Sequence, residues 1–189
     1  MNILLGVTGS VAATLTPRIV QALSYTGTVE VVTSRAALAF FDPKDVDARV
    51  WTDEDERTEA RYTTHQSILH IDLRRRADAY LIAPCTAETL AKLAGGRADN
   101  LLTTVARAWD LAKPLILAPA MNTLMWEHPA TSEHLTTLRR WYGEQFVLVP
   151  PVAKRLACGD EGVGALARID TILHAVQEGV RHAASNVHR

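Results

Sequence analysis

Five short apolar runs, each bounded by glycine, proline or polar residues, punctuate the chain: Asn2–Thr8, Val29–Thr33, Asp78–Ala83, Pro114–Ala118 and Phe146–Val149. Their length and nearly continuous apolar character predict buried strands. Between them, apolar positions recur at three- and four-residue spacing, which predicts helices at Val11–Leu23, Ala36–Phe41, Ala87–Leu93, Asn100–Ala108 and Ser132–Trp141, and a C-terminal helix from Asp170 to about Arg181. Strands alternating with helices imply an α/β doubly wound parallel sheet covered on both faces, with ligands in the crevice beyond the carboxyl ends of the strands. The unusual segments all follow a strand: Gly9-Ser10, Thr33-Ser34, Pro84–Thr89, Pro119–Trp126 and the glycine-rich Cys158–Gly164. The charged stretch Asp53–Arg61 reads as solvated surface.

Composition narrows the function classes. The chain has 189 residues, 20 Lys and Arg against 21 Asp and Glu, and 48% hydrophobic residues, which suits one soluble domain over residues 1–189. Charges of both signs are interspersed, so neither a nucleic acid nor an anionic membrane is an expected partner. No apolar stretch is long enough to span a bilayer and no signal-peptide pattern opens the chain, so a cytoplasmic location is expected. Two cysteines, Cys85 and Cys158, argue against a disulfide framework, and the seven histidines lack metal-ligand spacing, so no metal is expected.

Three segments could carry chemistry. Gly6-Val7-Thr8-Gly9-Ser10 places a glycine and a hydroxyl where a helix begins, which suits a mononucleotide phosphate or, equally, an ordinary turn with Ser10 as N-cap. Pro119–Trp126 gathers an amide, two thioethers and an indole after a buried strand, where Asn122 either meets a ligand or satisfies a turn. Cys158, among Gly159, Gly162 and Gly164, lies in a segment with the composition of a flap or of a plain surface loop. His70, just before the third strand, reads on its own as structural more often than as a base, and the Arg74-Arg75-Arg76 run as a solvated face.

Taken together, these segments resemble the flavin-containing cysteine decarboxylases. The resemblance rests on Gly6–Ala13, Leu69–Arg75, Gly95-Gly96 with Asp99–Thr103, the P-x-M-N-x-x-M-W octet at Pro119–Trp126, and Leu156–Asp160 with Gly162 and Gly164, and so spans nearly the whole chain. It implies a flavodoxin-like (Rossmann-like) fold, FMN bound at a subunit interface, and a homotrimer or a multiple of trimers such as a dodecamer. It further implies His70 as the active-site base, Met121 and Asn122 at the substrate, and Cys158 on a substrate flap at about 151–168. Gly9, Ser10, Ser34, Thr86 and Thr89 fall where the family contacts FMN, and Asp99 and Asn100 near the neighbouring subunit's flavin.

The implied reaction is oxidative decarboxylation of a terminal cysteine. Within the family the substrate is either a cysteine-terminated peptide, left as an aminoenethiol in a modified natural product, or phosphopantothenoylcysteine, converted to 4'-phosphopantetheine in coenzyme A biosynthesis. Cys158 and Arg75, which matches a phosphate-contacting arginine of the second group, favour the second. Two departures favour the peptide: Leu15 stands where the G-S-V-A-A-x-K pattern has lysine, and Glu88 replaces an amide beside the flavin. A charge-assisted phosphate contact contributes about 1.5–3 kcal/mol, so the missing lysine decides the expectation for a peptide. A regulatory role like that of phosphatase-binding relatives is disfavoured, because those carry acidic tails or long extensions.

Overall fold

The computed structural model describes residues 1–56, 67–155 and 161–186. Six strands form one parallel sheet: β1 (Asn2–Val7), β2 (Thr28–Thr33), β3 (Arg49–Trp51), β4 (Ala79–Cys85), β5 (Leu115–Pro119) and β6 (Phe146–Leu148). Their order is β3-β2-β1-β4-β5-β6. Without β3, the five expected strands stand in the flavodoxin-like order, and β3 extends that edge. Every residue of β4 and β5 is buried, as expected of central strands covered on both faces. Strand β3 escaped the sequence reading because it is three residues long and partly exposed. Pairing with β2 and a hydrogen bond from Trp51 Nε1 to Glu30 Oε2 (2.7 Å) hold it in place.

Alternate residues of each strand feed two cores. Helices α1 (Thr16–Ser24) and α8 (Ile169–Asn186) cover one face, burying Ile19, Leu23, Ile172 and Val176 against Ile3, Leu5, Val31 and Leu81. On the other face, α3 (Leu69–Arg76), α4 (Ala87–Ala94), α5 (Leu101–Arg107) and α7 (Pro129–Tyr142) bury Leu73, Leu90, Leu102 and Leu135 against Leu4, Tyr80, Ile82 and Leu117. Each such aliphatic side chain contributes about 1.5–3 kcal/mol, more than the roughly 1 kcal/mol of a helix cap. Burial pattern therefore sets which segments become elements, and caps set where they start.

The boundaries show this. Asn100 caps α5, with its side chain accepting from the Thr103 amide (2.8 Å) while Thr103 Oγ1 accepts from the Asn100 amide. The expected helix at Val11–Leu23 is divided: a 3-10 turn covers Val11–Leu15 and the α-helix starts at Thr16, with Pro17 in its first turn. Proline has no amide hydrogen to give to a preceding turn and is preset for a helix start. The expected helix at Ala36–Phe41 is a 3-10 turn, Arg35–Ala39. Two short helices, α2 (Asp53–Glu56) and α6 (Thr123–Glu127), and an antiparallel hairpin, β7 (Val152–Arg155) with β8 (Glu161–Ala165), complete the fold. Helix α2 occupies the start of the stretch expected to be mere solvated surface.

Candidate active site

The loops at the carboxyl ends of β1, β2, β4 and β5 lie together, bound by short contacts. Thr8 Oγ1, buried, donates to the Pro84 carbonyl (2.7 Å) and accepts from the Thr86 amide (3.0 Å), joining the ends of β1 and β4. Gly9 lets the first loop lie against the second, since a Cβ there would come within 2.6 Å of the Ala36 Cβ. Ser10 caps the 3-10 turn by accepting from the Ala12 amide (3.3 Å), and Thr86 caps α4, with its hydroxyl 3.1 Å from that of Thr89. Asn122 caps α6, its Oδ1 accepting from the Leu124 amide (2.9 Å).

The β7–β8 hairpin closes one side of this region. The Met121 amide donates to the Gly164 carbonyl (2.9 Å), and a Cβ at Gly164 would overlap the Met121 carbonyl oxygen. Gly164 thus serves close approach of the hairpin to the Met121–Thr123 backbone rather than the looseness its glycine-rich setting suggests. Between hairpin and loops lies a cavity of about 490 Å³, walled by Ser10, Leu15, Met121, Asn122, Lys154 and Arg155 among others. Lys154 and Arg155 have no hydrogen-bond or ion-pair partner among the described residues. Cys158 and the expected flap tip lie outside the described residues.

His70 is elsewhere. It sits at the start of α3, on the other helical layer, and does not line that cavity. Its Nδ1 is 2.6 Å from Glu56 Oε1, and its backbone amide donates to Glu56 Oε2 (3.1 Å). Asp53, on the same short helix, accepts from the Leu101 amide at the start of α5 (2.7 Å). Asp99 forms an ion pair with Lys92 (2.8 Å), and that hydrogen bond holds the Asp99 carboxyl below its ordinary range and the Lys92 ammonium above its own. Lys92 also reaches Glu88 (3.4 Å), so the carboxylate in place of the family amide has a countercharge on its own helix. Cys85 is wholly buried and its thiol is pushed up to about 12 by desolvation, so it is a protonated core group.

Arg75 does not join the cavity of its own chain. Helix α3 runs antiparallel to the strands and delivers the chain to the amino end of β4, so its last turn lies at the opposite end of the sheet from Leu15. There Lys113 Nζ donates to the carbonyls of Arg74, Arg75 and Ala77. Sequence reasoning missed Glu56, which lay inside an apparently solvated acidic run, and the adjacent cations Lys154-Arg155, whose only signal was their place within the expected flap.

A family model described as Flavoprotein matches residues 1–181. The chain belongs to the flavoprotein family. This flavoprotein is 48% identical over 178 residues to the phosphopantothenoylcysteine decarboxylase of Mus musculus, covering 93% of this chain and 85% of that one. Among solved structures, a cysteine-to-serine mutant of PPC decarboxylase complexed with pantothenoylaminoethenethiol matches with a TM-score of 0.88 and 43% identity, covering 94% and 96% of the two chains. The FMN binding protein AtHal3 matches with a TM-score of 0.84 and 44% identity over 94% and 95%. The FMN-dependent cysteine decarboxylase SpaF is more distant, at 27% identity and a TM-score of 0.76 over 97% of both chains.

The loops fit a flavin mononucleotide. Ser34 Oγ, at the end of β2, is buried without a hydrogen-bond partner among the described residues, and a buried hydroxyl left so is costly unless a ligand satisfies it. Ser10 and Thr86 stand after β1 and β4, the next two strands in the sheet, and together the three hydroxyls follow the crevice where a doubly wound sheet binds phosphate-bearing ligands. Among the described residues no helix is long and apolar enough to cross a membrane.

Proposed function

We propose that this flavoprotein is an FMN-dependent decarboxylase of phosphopantothenoylcysteine, yielding 4'-phosphopantetheine for coenzyme A biosynthesis. The observation that carries the substrate is the pair Lys154 and Arg155 across the 490 Å³ cavity from Leu15. The expectation of a peptide rested on a cation missing at position 15, and the hairpin supplies two cations to the same cavity. The identity of 43–48% to phosphopantothenoylcysteine decarboxylases, against 27% to SpaF, supports the same reading. Glu88, the other argument for a peptide, is offset by Lys92.

FMN, when bound, supplies the hydride acceptor that a saturated cysteine needs before it can lose CO2. Gly9, Ser10, Ser34, Thr86 and Thr89 hold that group, with Asp99 and Asn100 serving the flavin of a neighbouring subunit. Asn122, fixed by its cap, orients the substrate carboxylate beside Met121, and His70 takes the thiol proton. Lys154 and Arg155 face the substrate phosphate, while Cys158 keeps the proton-donor role that the family resemblance implies. His70 does not line the cavity that Asn122 lines, and a second copy bringing its own His70 to that cavity would complete the site. That favours a homo-oligomer, a trimer or a multiple of one.

Holoenzyme incubated separately with phosphopantothenoylcysteine and with a cysteine-terminated peptide should convert only the former, to a product lighter by CO2 alone. Conversion of the peptide with the phosphorylated substrate untouched would overturn the reading. Replacing Lys154 and Arg155 together with Ala should raise KM for phosphopantothenoylcysteine about 10- to 100-fold, the equivalent of a charge-assisted contact, and leave the dephosphorylated analogue nearly unaffected.

A further inference from the structure

We propose that Glu56 is a positioning residue for His70, fixing the imidazole so that Nε2 is the atom that accepts the substrate's proton; this rests on the reading of His70 as the base. Both carboxylate oxygens of Glu56 are used on one residue: Oε1 lies 2.6 Å from His70 Nδ1, and Oε2 accepts from the His70 backbone amide at 3.1 Å. The side chains are only 27% and 23% exposed, so water competes weakly for these contacts. Asp53 pins the same short helix to α5 through the Leu101 amide, which restrains Glu56 from turning away.

The tautomer follows from the donor inventory. A carboxylate has only acceptors, so a hydrogen on Nδ1 makes the bond to Oε1 and the neutral ring keeps its lone pair on Nε2. Nε2 has no hydrogen-bond partner among the described residues, which leaves it available to a substrate. The plain alternative is that Glu56 merely caps α3. Capping needs one oxygen on the amide, and the bond to the ring is additional.

Glu56→Gln separates the two roles. The Gln oxygen can still accept from the backbone amide, but its NH2 group donates to Nδ1 and so forces the ring hydrogen onto Nε2, where it blocks proton uptake. Ring-nitrogen NMR of the FMN-loaded, histidine-labelled protein, with the His70 signals assigned by their loss in His70→Asn, reads the tautomer directly. The expected result is hydrogen on Nδ1 in wild type and on Nε2 in Glu56→Gln, with kcat for phosphopantothenoylcysteine falling roughly 100-fold or more while KM and melting temperature change little. Glu56→Asp should restore the wild-type tautomer and most of kcat. Hydrogen on Nε2 in the wild-type protein overturns the proposal whatever the variants do. So does a Glu56→Gln enzyme within a few-fold of wild type when His70→Asn is inactive; an active His70→Asn enzyme overturns the base assignment itself and the proposal with it.

Discussion

The cleft at the ends of β1 and β5 and the corner where α2 meets α3 are built by different means. In the cleft, three polar side chains are held by the turns that follow their own strands: Ser10 by the Ala12 amide, Thr86 by Thr89, Asn122 by Leu124. The sheet places these turns side by side, and Thr8 ties two of them together. In the corner, Asp53 and Glu56 reach from a four-residue helix to backbone amides of two other helices, so its geometry depends on long-range carboxylate contacts. The difference teaches a division of construction: the cleft is built by local turns set side by side, whereas the corner holds a histidine through long-range carboxylate contacts and does not line the cleft's cavity.

Mixing subunits tests that division with the largest effect. His70→Asn and Asn122→Ala should each lower decarboxylation by about 10²- to 10⁴-fold while leaving FMN bound, the range expected for losing a general base or an orienting group. Co-assembled in one oligomer, the two variants should recover a measurable fraction of wild-type activity, because some sites then draw an intact corner and an intact cleft from different chains. No recovery, from a protein that sediments as a monomer with FMN bound, would put both residues in one chain's site.

A smaller effect is expected where the hairpin seats on the cleft. Gly164→Ala forces a methyl against the Met121 carbonyl oxygen and should destabilise by about 1–3 kcal/mol, read as a lowered melting temperature, together with a raised KM. An unchanged melt would mean that the hairpin is not fixed to Met121.

The smallest concerns the surface pair beside the corner. The folded-state value of Asp99 is lowered, so its contribution is present above the ordinary carboxylate value near 4 and lost as pH falls through the lowered one. The raised Lys92 value acts in the opposite sense, its contribution being lost only as pH rises through it. Asp99→Asn should therefore melt slightly below wild type at neutral pH, by no more than about 1 kcal/mol for a half-exposed pair, and the two curves should converge in acid. A difference that persisted at low pH would assign Asp99 a role other than ion pairing.

Much of this was legible along the chain. Periodicity located five of the six strands of the main sheet, because central strands buried on both faces must be apolar throughout; it passed over β3, whose three edge residues carry no such demand. Turn chemistry located Ser10 and Asn122, because each acts on an amide two residues away, while Thr86, a cap of the same kind, came only from the family resemblance. The family resemblance added FMN and the identity of the reaction. It also led to a preference for a peptide substrate that the relatives support less well than phosphopantothenoylcysteine, since the argument from Leu15 counted cations by sequence position alone.

What the sequence by itself determined, then, was the set of elements, their burial and the local caps, all fixed by interactions within a few residues or by the alternation of inward and outward side chains. Only the tertiary structure decided which distant groups meet. It brought Lys154 and Arg155 to Leu15 and Glu56 to His70, and it carried Arg75 to the far end of the sheet. The reason is geometric: strand order and the antiparallel return of each helix assign every side chain to one end and one face of the sheet, and no local pattern of apolar and polar residues encodes that assignment.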